Sequence, residues 1–261
     1  MDAEALGNQL GGEAHQPVLT LVVPVYNEAE NILGTFRQIE AQPLPRHEIL
    51  VVYDRDEDTT LPVLAAEAAA FPQARTVKNA FGHGVLNAIR TGLEAARGEA
   101  VVVVMADMAD DLRALGPMLE AFAAGADVVC GSRYMAGGEQ RGGPKLKGLL
   151  SRAAGLSLHV LTRIPTHDVT NSFKLYRRSF LETVSVESRG GFEIGMELTV
   201  KAFVGGYRVA EVPSVWTDRT AGQSRFKLWR WLPRYLKWYL YPFRRRATAR
   251  SGNSPTPRRA A

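Results

Sequence analysis

Asp107, Asp110 and Asp111 place three carboxylates within five residues, just after the apolar run Val101-Val-Val-Val-Met-Ala106. Acids this closely spaced repel one another, so a cation that offsets them would be held, and hard oxygen ligands select Mg²⁺ or Mn²⁺. Asp107 ends an apolar strand pattern, where no helix cap is called for, so metal binding is its expected role. Asp110 is a second metal candidate, although Asp110 or Asp111 could equally cap the helix that follows. His83, between Gly82 and Gly84, and His167, before Asp168, have no paired nucleophile beside them and read as turn or cap histidines.

The elements that must carry these acids alternate strand and helix. Val18 to Val25 is an almost continuous apolar, β-branched run, as expected of a strand covered on both faces. Helical spacing follows over Glu28 to Ala41, a strand over Glu48 to Tyr53, a helix over Asp58 to Phe71 and a strand over Ala74 to Val77. Gly84 to Arg97, Ala100 to Met105, Leu112 to Ala124 and Asp127 to Cys130 repeat the pattern. The expectation is an α/β fold with a doubly wound, mostly parallel sheet, whose ligands sit beyond the carboxyl ends of the strands. Polar residues cluster at those ends: Asn27 and Glu28, Asp54 to Asp58, Asn79 to Gly84, and Asp107 to Asp111.

After Cys130 a Gly-rich stretch, 131–143, predicts a mobile loop over the site. A helix is expected over Lys147 to Thr162, a strand over Thr170 to Tyr176, a helix over Glu193 to Phe203, and a strand over Tyr207 to Val212 ended by Pro213. Glu197, on an otherwise apolar helix face, could order the site from behind or pair with Lys201 one turn on.

Charge divides the chain into two territories. Residues 219–261 hold 12 of the 32 Lys and Arg and none of the 27 Asp and Glu, so an acidic body ends in a strongly basic tail that suits an anionic partner. Within the tail, Phe226 to Phe243 interleaves bulky aromatics with Lys227, Arg230, Arg234 and Lys237, a stripe at helical spacing. Helices that lie in a membrane interface are composed this way, and Trp229, Trp231, Trp238 and Tyr239 suit that boundary. The same aromatics could instead pack on the body as core, and the segment could also receive a separate membrane protein. Pro233 is expected to begin a second helix or to kink the first. Nucleic acid fits poorly, given the long apolar aromatics and the acidic body.

At 46% apolar and 23% charged, the 261 residues can bury a full core. The single cysteine, Cys130, follows Asp127-Val-Val and reads as a buried structural thiol, which favours a reducing, cytoplasmic setting. No signal peptide is read in the first seventeen residues, and no stretch is long and apolar enough to span a bilayer. The expected organisation is a disordered N-terminus over 1–16, a catalytic domain over 17–225, basic aromatic interface helices over 226–246 and a disordered tail over 247–261.

Six motifs follow in one order: Val22-Val-Pro-Val-Tyr-Asn-Glu28, Val52-Tyr-Asp-Arg-Asp-Glu-Asp-Thr59, Met105-Ala-Asp107, Gly131-Ser-Arg-Tyr134, Asp168-Val-Thr-Asn-Ser-Phe-Lys174 and Arg219-Thr-Ala-Gly-Gln-Ser-Arg225. Over roughly residues 18–230 the chain resembles family 2 glycosyltransferases, and among them it is most similar to the dolichol-phosphate mannosyltransferase or polyprenyl-phosphate glycosyltransferase type. The resemblance implies a GT-A fold that binds a nucleotide-diphosphate sugar, GDP-mannose or UDP-glucose, with a divalent metal. It implies that the sugar passes, with inversion, to the phosphate of a polyprenol in a membrane. Pro24, Tyr26, Glu28 and Asp54 would hold the base and ribose, Asp107 matches the last acid of the DxD metal motif, and Arg133 and Arg219 would face phosphate groups. Ser224 and Arg225 complete the late motif and join the expected substrate contacts.

Three positions depart from the family pattern. Tyr53 replaces the first of two acids at the second strand end, Met105 occupies the first place of DxD, and Arg225 stands where Lys is usual. A polyprenyl phosphate is already ionised near neutral pH, so the attacking oxygen needs no strong general base. The work left is electrostatic and positional, for which Arg133, Arg152 and Arg219 offer planar donors. Asp168 could orient an arginine, contact the donor sugar, or close an Asx turn onto Thr170. The same residues also suit a transferase acting on a glycan acceptor, or a catalytically silent nucleotide-sugar-binding adaptor.

Overall fold

The computed structural model describes residues 18–218 and 228–250, with side chains over 18–218 and 232–244. The apolar runs become strands because both faces of the sheet are covered. In β1 (Leu19–Pro24) all six residues are buried. β2 (His47–Tyr53), β3 (Ala74–Lys78) and β4 (Ala100–Val103) join it in parallel, with Leu19 opposite both His47 and Ala100. β5 (Val128–Ser132) and β8 (Val209–Pro213) form a second parallel pair. Between the two groups lies β7 (Lys174–Arg177), antiparallel to both neighbours. The seven strands run in the order β3-β2-β1-β4-β7-β5-β8, the mostly parallel sheet of a GT-A-like fold.

Helices close both faces. Leu19, Leu21 and Val23 point to one side, where Ile32, Phe36 and Ile39 of α1 (Ile32–Glu40) meet Met118 and Phe122 of α4 (Leu115–Ala123). Val22 points to the other side, toward Leu86, Ile89 and Leu93 of α3 (Val85–Ala95), with Phe180 and Ile194 beyond. Each such side chain contributes about 1.5–3 kcal/mol by leaving water. α3 lies so close to β1 that a Cβ on Gly92 would fall 2.1 Å from Val22 Cγ1, so any larger residue there would lift the helix off the strand. Cys130 is buried.

Several expectations need correction. The helix expected over 58–71 is limited to α2 (Thr60–Ala66). The strand expected from Thr170 starts only at Lys174, because residues 168–173 are taken up by a polar turn built around Asp168. The Gly-rich stretch is not wholly loop: β6 (Glu139–Arg141) pairs in parallel with β9 (Val215–Thr217), a strand the sequence did not reveal. α5 (Lys145–Thr162) has the expected span within two residues. A short α6 (Arg178–Thr183) precedes α7 (Glu193–Val204).

α8 (Leu228–Arg250) is one helix with Pro233 and Pro242 inside it, so Pro233 does not begin a second helix. It packs on α7 and α5. Trp238 is 1% exposed, set among Leu158, Val169, Met196 and Val200, with its Nε1 donating to Ser188 Oγ at 2.9 Å. Tyr239 donates to Ser157 Oγ at 3.0 Å. For Trp238 the core reading holds; Tyr239 is half-buried against the same cluster, and Trp229 and Trp231 lie outside the described side chains. Glu197 is fully buried, accepts from the backbone N of Glu187 and Ser188, and pairs with Lys201 at 2.8 Å, so it is a structural acid of α7. Among the described residues no helix is long and apolar enough to cross a membrane.

Candidate active site

The carboxyl ends of β1, β2 and β4 open on a cavity of about 710 Å³. After β1, the chain turns through Asn27, whose positive φ of 56° is stabilised by Asp58: both carboxylate oxygens accept from Asn27 N, at 3.1 and 3.0 Å. Glu28 N donates to Thr60 Oγ1, and Glu28 Oε2 accepts from Asn31 Nδ2. Pro24, Tyr26 and Glu28 thereby line the cavity on a turn fixed from behind by the start of α2. After β2, Asp54 lines it too, with Oδ1 accepting from Asn79 Nδ2 and Oδ2 from Gly84 N, each at 2.8 Å. These two bonds close the 79–84 loop, which brings His83 to the cavity wall.

The acidic segment after β4 turns sharply at Met108, which takes a positive φ of 55° and lays its sulfur against Gly34, where a Cβ would fall 2.6 Å from it. This bend turns both Asp107 and Asp110 into the cavity. Asp110 is 6% exposed, and its Oδ1 has no hydrogen-bond partner among the described residues. Burial, and then the neighbouring Asp107, push its carboxyl up to about 7. Asp111 turns away and caps the following 3-10 turn, accepting from Arg113 N at 3.1 Å. The alternatives left open by the sequence are divided between the two: Asp111 is the cap, and Asp110 faces the cavity.

Among the described residues no three His, Cys, Asp or Glu side chains form a cluster that could hold a metal alone. The two carboxylates, one of them a buried oxygen lacking a partner, fit a dication whose remaining ligands come from a bound anion and water.

Arg133 enters from the end of β5. Its Nε donates to Asp168 Oδ2 at 2.6 Å and its Nη2 to Asp168 Oδ1 at 3.0 Å, with further bonds to Ser151 and Thr170 hydroxyls. Burial alone would disfavour the guanidinium charge, but the Asp168 carboxylate reverses this and holds its pKa above the usual range. Asp168 is itself fully buried; burial would raise its pKa, and Arg133 with its hydrogen bonds lowers it.

The cavity is lined further by Lys147, Gly148, Ser151 and Ala154 of α5, and by Phe192, Trp216, Leu232 and Tyr235. Trp216 of β9 is bridged to Asp110, and Thr217 N donates to Ala109 O at 2.8 Å, so β9 is tied to the acidic segment on one side and to β6 on the other.

A site that gathers carboxylates at the strand ends and faces them with a buried, braced arginine suits an anionic sugar donor, and the glycosyl transferase family 2 model matches residues 20–185. The chain belongs to this family. It is 34% identical over 214 residues to the polyprenol monophosphomannose synthase of Mycolicibacterium smegmatis, covering 78% of this chain and 79% of the relative. It is 32% identical over 217 residues to the undecaprenyl-phosphate mannosyltransferase of Micrococcus luteus, covering 80% and 86%. In fold it is similar to the glucosyl-3-phosphoglycerate synthase of Mycobacterium tuberculosis, solved with Mn²⁺, UDP and glucosyl-3-phosphoglycerate, at a TM-score of 0.65 and 17% identity over 91% of this chain and 83% of that one.

In this glycosyltransferase, seven of the residues chosen from sequence meet at one cavity: Pro24, Tyr26, Glu28, Asp54, Asp107, Asp110 and Arg133. Two do not. Arg152 is exposed on α5 and lies off the cavity wall, because its neighbour Ser151 takes the inward position. Asp168 stands behind Arg133 rather than in the cavity; it orients the arginine and also closes the Asx turn, accepting from Thr170 N at 3.3 Å and Asn171 N at 3.1 Å. Arg219, Ser224 and Arg225 lie outside the described residues.

His83 sits in the turn expected of it and also lines the cavity, whereas His167 is held by Glu211 and stacked on His159. Sequence reading missed Lys147, Ser151, Trp216 and Tyr235. Lys147 and Ser151 share a face at i and i+4 of α5, a signal that was available; Trp216 and Tyr235 depend on long-range packing.

Proposed function

We propose that this glycosyltransferase moves a hexose, mannose or glucose, with inversion, from GDP-mannose or UDP-glucose to a polyprenyl phosphate at the cytoplasmic face of a membrane, where it is peripheral. The observation that carries the reading is the lining of one cavity, where strand-end carboxylates meet the basic and apolar residues of α5 and α8. The two relatives named above act on lipid phosphates by their names.

Pro24, Tyr26 and Glu28 hold the base and ribose on the turn that Asp58 fixes, and Asp54 shapes the adjoining edge. Asp107 and Asp110 would hold Mg²⁺ or Mn²⁺ together with the donor's own phosphates; the ion supplies charge neutralisation for the leaving diphosphate. Met105 takes the place of the first acid of the motif, so Asp110 contributes the second carboxylate from a different position. Arg133, locked in orientation by Asp168, presents its charge toward phosphate without reorganising during the reaction. Lys147 and the late Arg219 would neutralise the acceptor phosphate and the leaving group, respectively. The attacking oxygen is already anionic, so no group in the cavity has to remove a proton from it.

Incubation of the full chain with radiolabelled GDP-mannose or UDP-glucose, Mn²⁺ and polyprenyl phosphate should carry label into the organic phase. Absence of transfer from either donor would overturn the reading. Label appearing instead on a soluble glycan acceptor would favour the glycan-directed alternative.

A further inference from the structure

α5 carries apolar residues on its outer side as well as its inner one. Inward, Gly148, Leu150, Ser151 and Ala154 line the cavity, Leu158 is buried in the core, and Gly155 packs so tightly that a Cβ there would fall 2.0 Å from His167 O. Four further large apolar residues point out. Leu146, Leu149, Val160 and Leu161 are each more than half exposed. With Ala153 and Leu156 between them, Leu146, Leu149 and Val160 recur at spacings of 3, 4, 3 and 4, which draws one apolar stripe along a helix about 27 Å long. Among the described residues seven large apolar side chains are exposed, and the others, Tyr26 aside, are Leu232 and Leu236 of α8. Leu232 also lines the cavity, so the apolar surface runs up to the cavity's edge. A stripe of this kind on a soluble face costs solubility unless something covers it.

Charge identifies what covers it. α5 and α8 together span 41 residues and contain no Asp or Glu, whereas Lys145, Lys147 and Arg152 flank the stripe on α5. A second copy of this chain would bring like charges together across the contact. An anionic lipid surface would accept both the leucines and the cations.

We infer that the outward face of α5, continued by Leu232 and Leu236, is the surface that docks on an anionic bilayer and sets the cavity mouth at headgroup depth. The inference rests on the lipid-phosphate acceptor proposed above. It adds α5 to the surface expected of the basic aromatic segment, from which the buried Trp238 is withdrawn, and it explains why the inner side of the same helix carries Lys147 and Ser151. A lipid whose tail stays in the bilayer then reaches the cavity along the apolar edge with its phosphate leading.

The test is the full chain carrying Leu149→Gln, Val160→Gln and Leu161→Gln together, none of which lines the cavity. Co-sedimentation with vesicles of phosphatidylglycerol and phosphatidylcholine should weaken at least about tenfold, since interfacial affinity scales with the apolar area inserted. Transfer to a short, water-soluble polyprenyl phosphate should match wild type, while transfer to a long-chain acceptor in vesicles should fall with the binding. Unchanged vesicle binding would overturn the inference, as would a wild-type dimer that the triple variant dissociates without any loss of vesicle binding. If wild type binds vesicles through this face but transfers sugar to neither acceptor, the docking surface stands and the proposed reaction fails.

Discussion

Arg133 and Asp168 form a two-pronged ion pair at the back of the cavity, Nε to Oδ2 at 2.6 Å and Nη2 to Oδ1 at 3.0 Å, with Asp168 fully buried and the arginine side chain 10% exposed. The same carboxylate accepts from the backbone N of Arg133, Thr170 and Asn171. One buried group therefore fixes both the arginine that faces the cavity and the turn that leads into β7.

Replacing Asp168 by Asn leaves the shape and removes the charge, which strands the Arg133 guanidinium in a dry setting. Loss of one partner of a buried pair costs about 3–5 kcal/mol, so the urea midpoint should fall accordingly and transfer should be lost. Arg133→Lys, which keeps the charge without the fork, should fold better than Asp168→Asn and still transfer poorly. The carboxyl is held low in the folded protein, so its contribution is present above its unfolded value of 3.8 and disappears as pH falls through the lower folded value. Urea unfolding of wild type and Asp168→Asn should therefore converge in strong acid and diverge toward neutral pH.

Asp110 has the opposite sign. Its carboxyl rises from 3.8 to about 7 in the fold, so the folded protein binds the extra proton between these values and stability falls as pH rises through that window. In EDTA, Asp110→Asn should match wild type near pH 4 and exceed it at pH 8, by at most about 4 kcal/mol for this shift. Mn²⁺ should stabilise wild type and not the variant. Thermal unfolding of both proteins at the two pH values, with and without the ion, measures each part.

The parallel half of the sheet was legible because β1, β2 and β4 are buried on both faces and read as unbroken apolar runs, and their ends mark the ligand edge. A strand was expected where β7 lies, but its antiparallel direction was not legible, since pairing direction leaves no trace in a run as short as Lys174–Arg177. β6 and β9 were hidden because they are three residues each, half exposed and lacking alternation. In the site, Asp107 could be chosen from its place at a strand end. The division of labour between Asp110 and Asp111 depends on the bend at Met108, which the residue type does not announce.

Asp54 has its two oxygens on Asn79 Nδ2 and Gly84 N, both donors. Asp54→Asn must turn one of its own N–H groups toward a donor, so the 79–84 loop that carries His83 should loosen. A hydrogen bond to a charged group is worth about 1.5–3 kcal/mol, which corresponds to a rise of about ten- to a hundredfold in KM for the nucleotide sugar. The KM for the lipid acceptor should stay unchanged, since the bonds of Asp54 go to the 79–84 loop and not to α5. Initial rates at varied donor and fixed acceptor, and the reverse, separate the two.

Trp238 decides between two uses of the aromatic helix α8. At 1% exposure among Leu158, Val169, Met196 and Val200, with Nε1 bonded to Ser188, it acts as a peg that fixes α8 to α5 and α7. Trp238→Ala should cost about 3–5 kcal/mol, as large-to-small changes in packed cores do. Trp238→Phe keeps the ring volume in part and gives up the bond to Ser188, so it should cost less, with the lost bond accounting for about 1 kcal/mol. Because α8 supplies Leu232 and Tyr235 to the cavity wall, the alanine variant should also lose transfer at temperatures where the rest of the sheet remains folded. An interface anchor would behave differently, leaving the unfolding midpoint in place and weakening vesicle binding alone, so paired denaturation and co-sedimentation of Trp238→Ala distinguish the two roles.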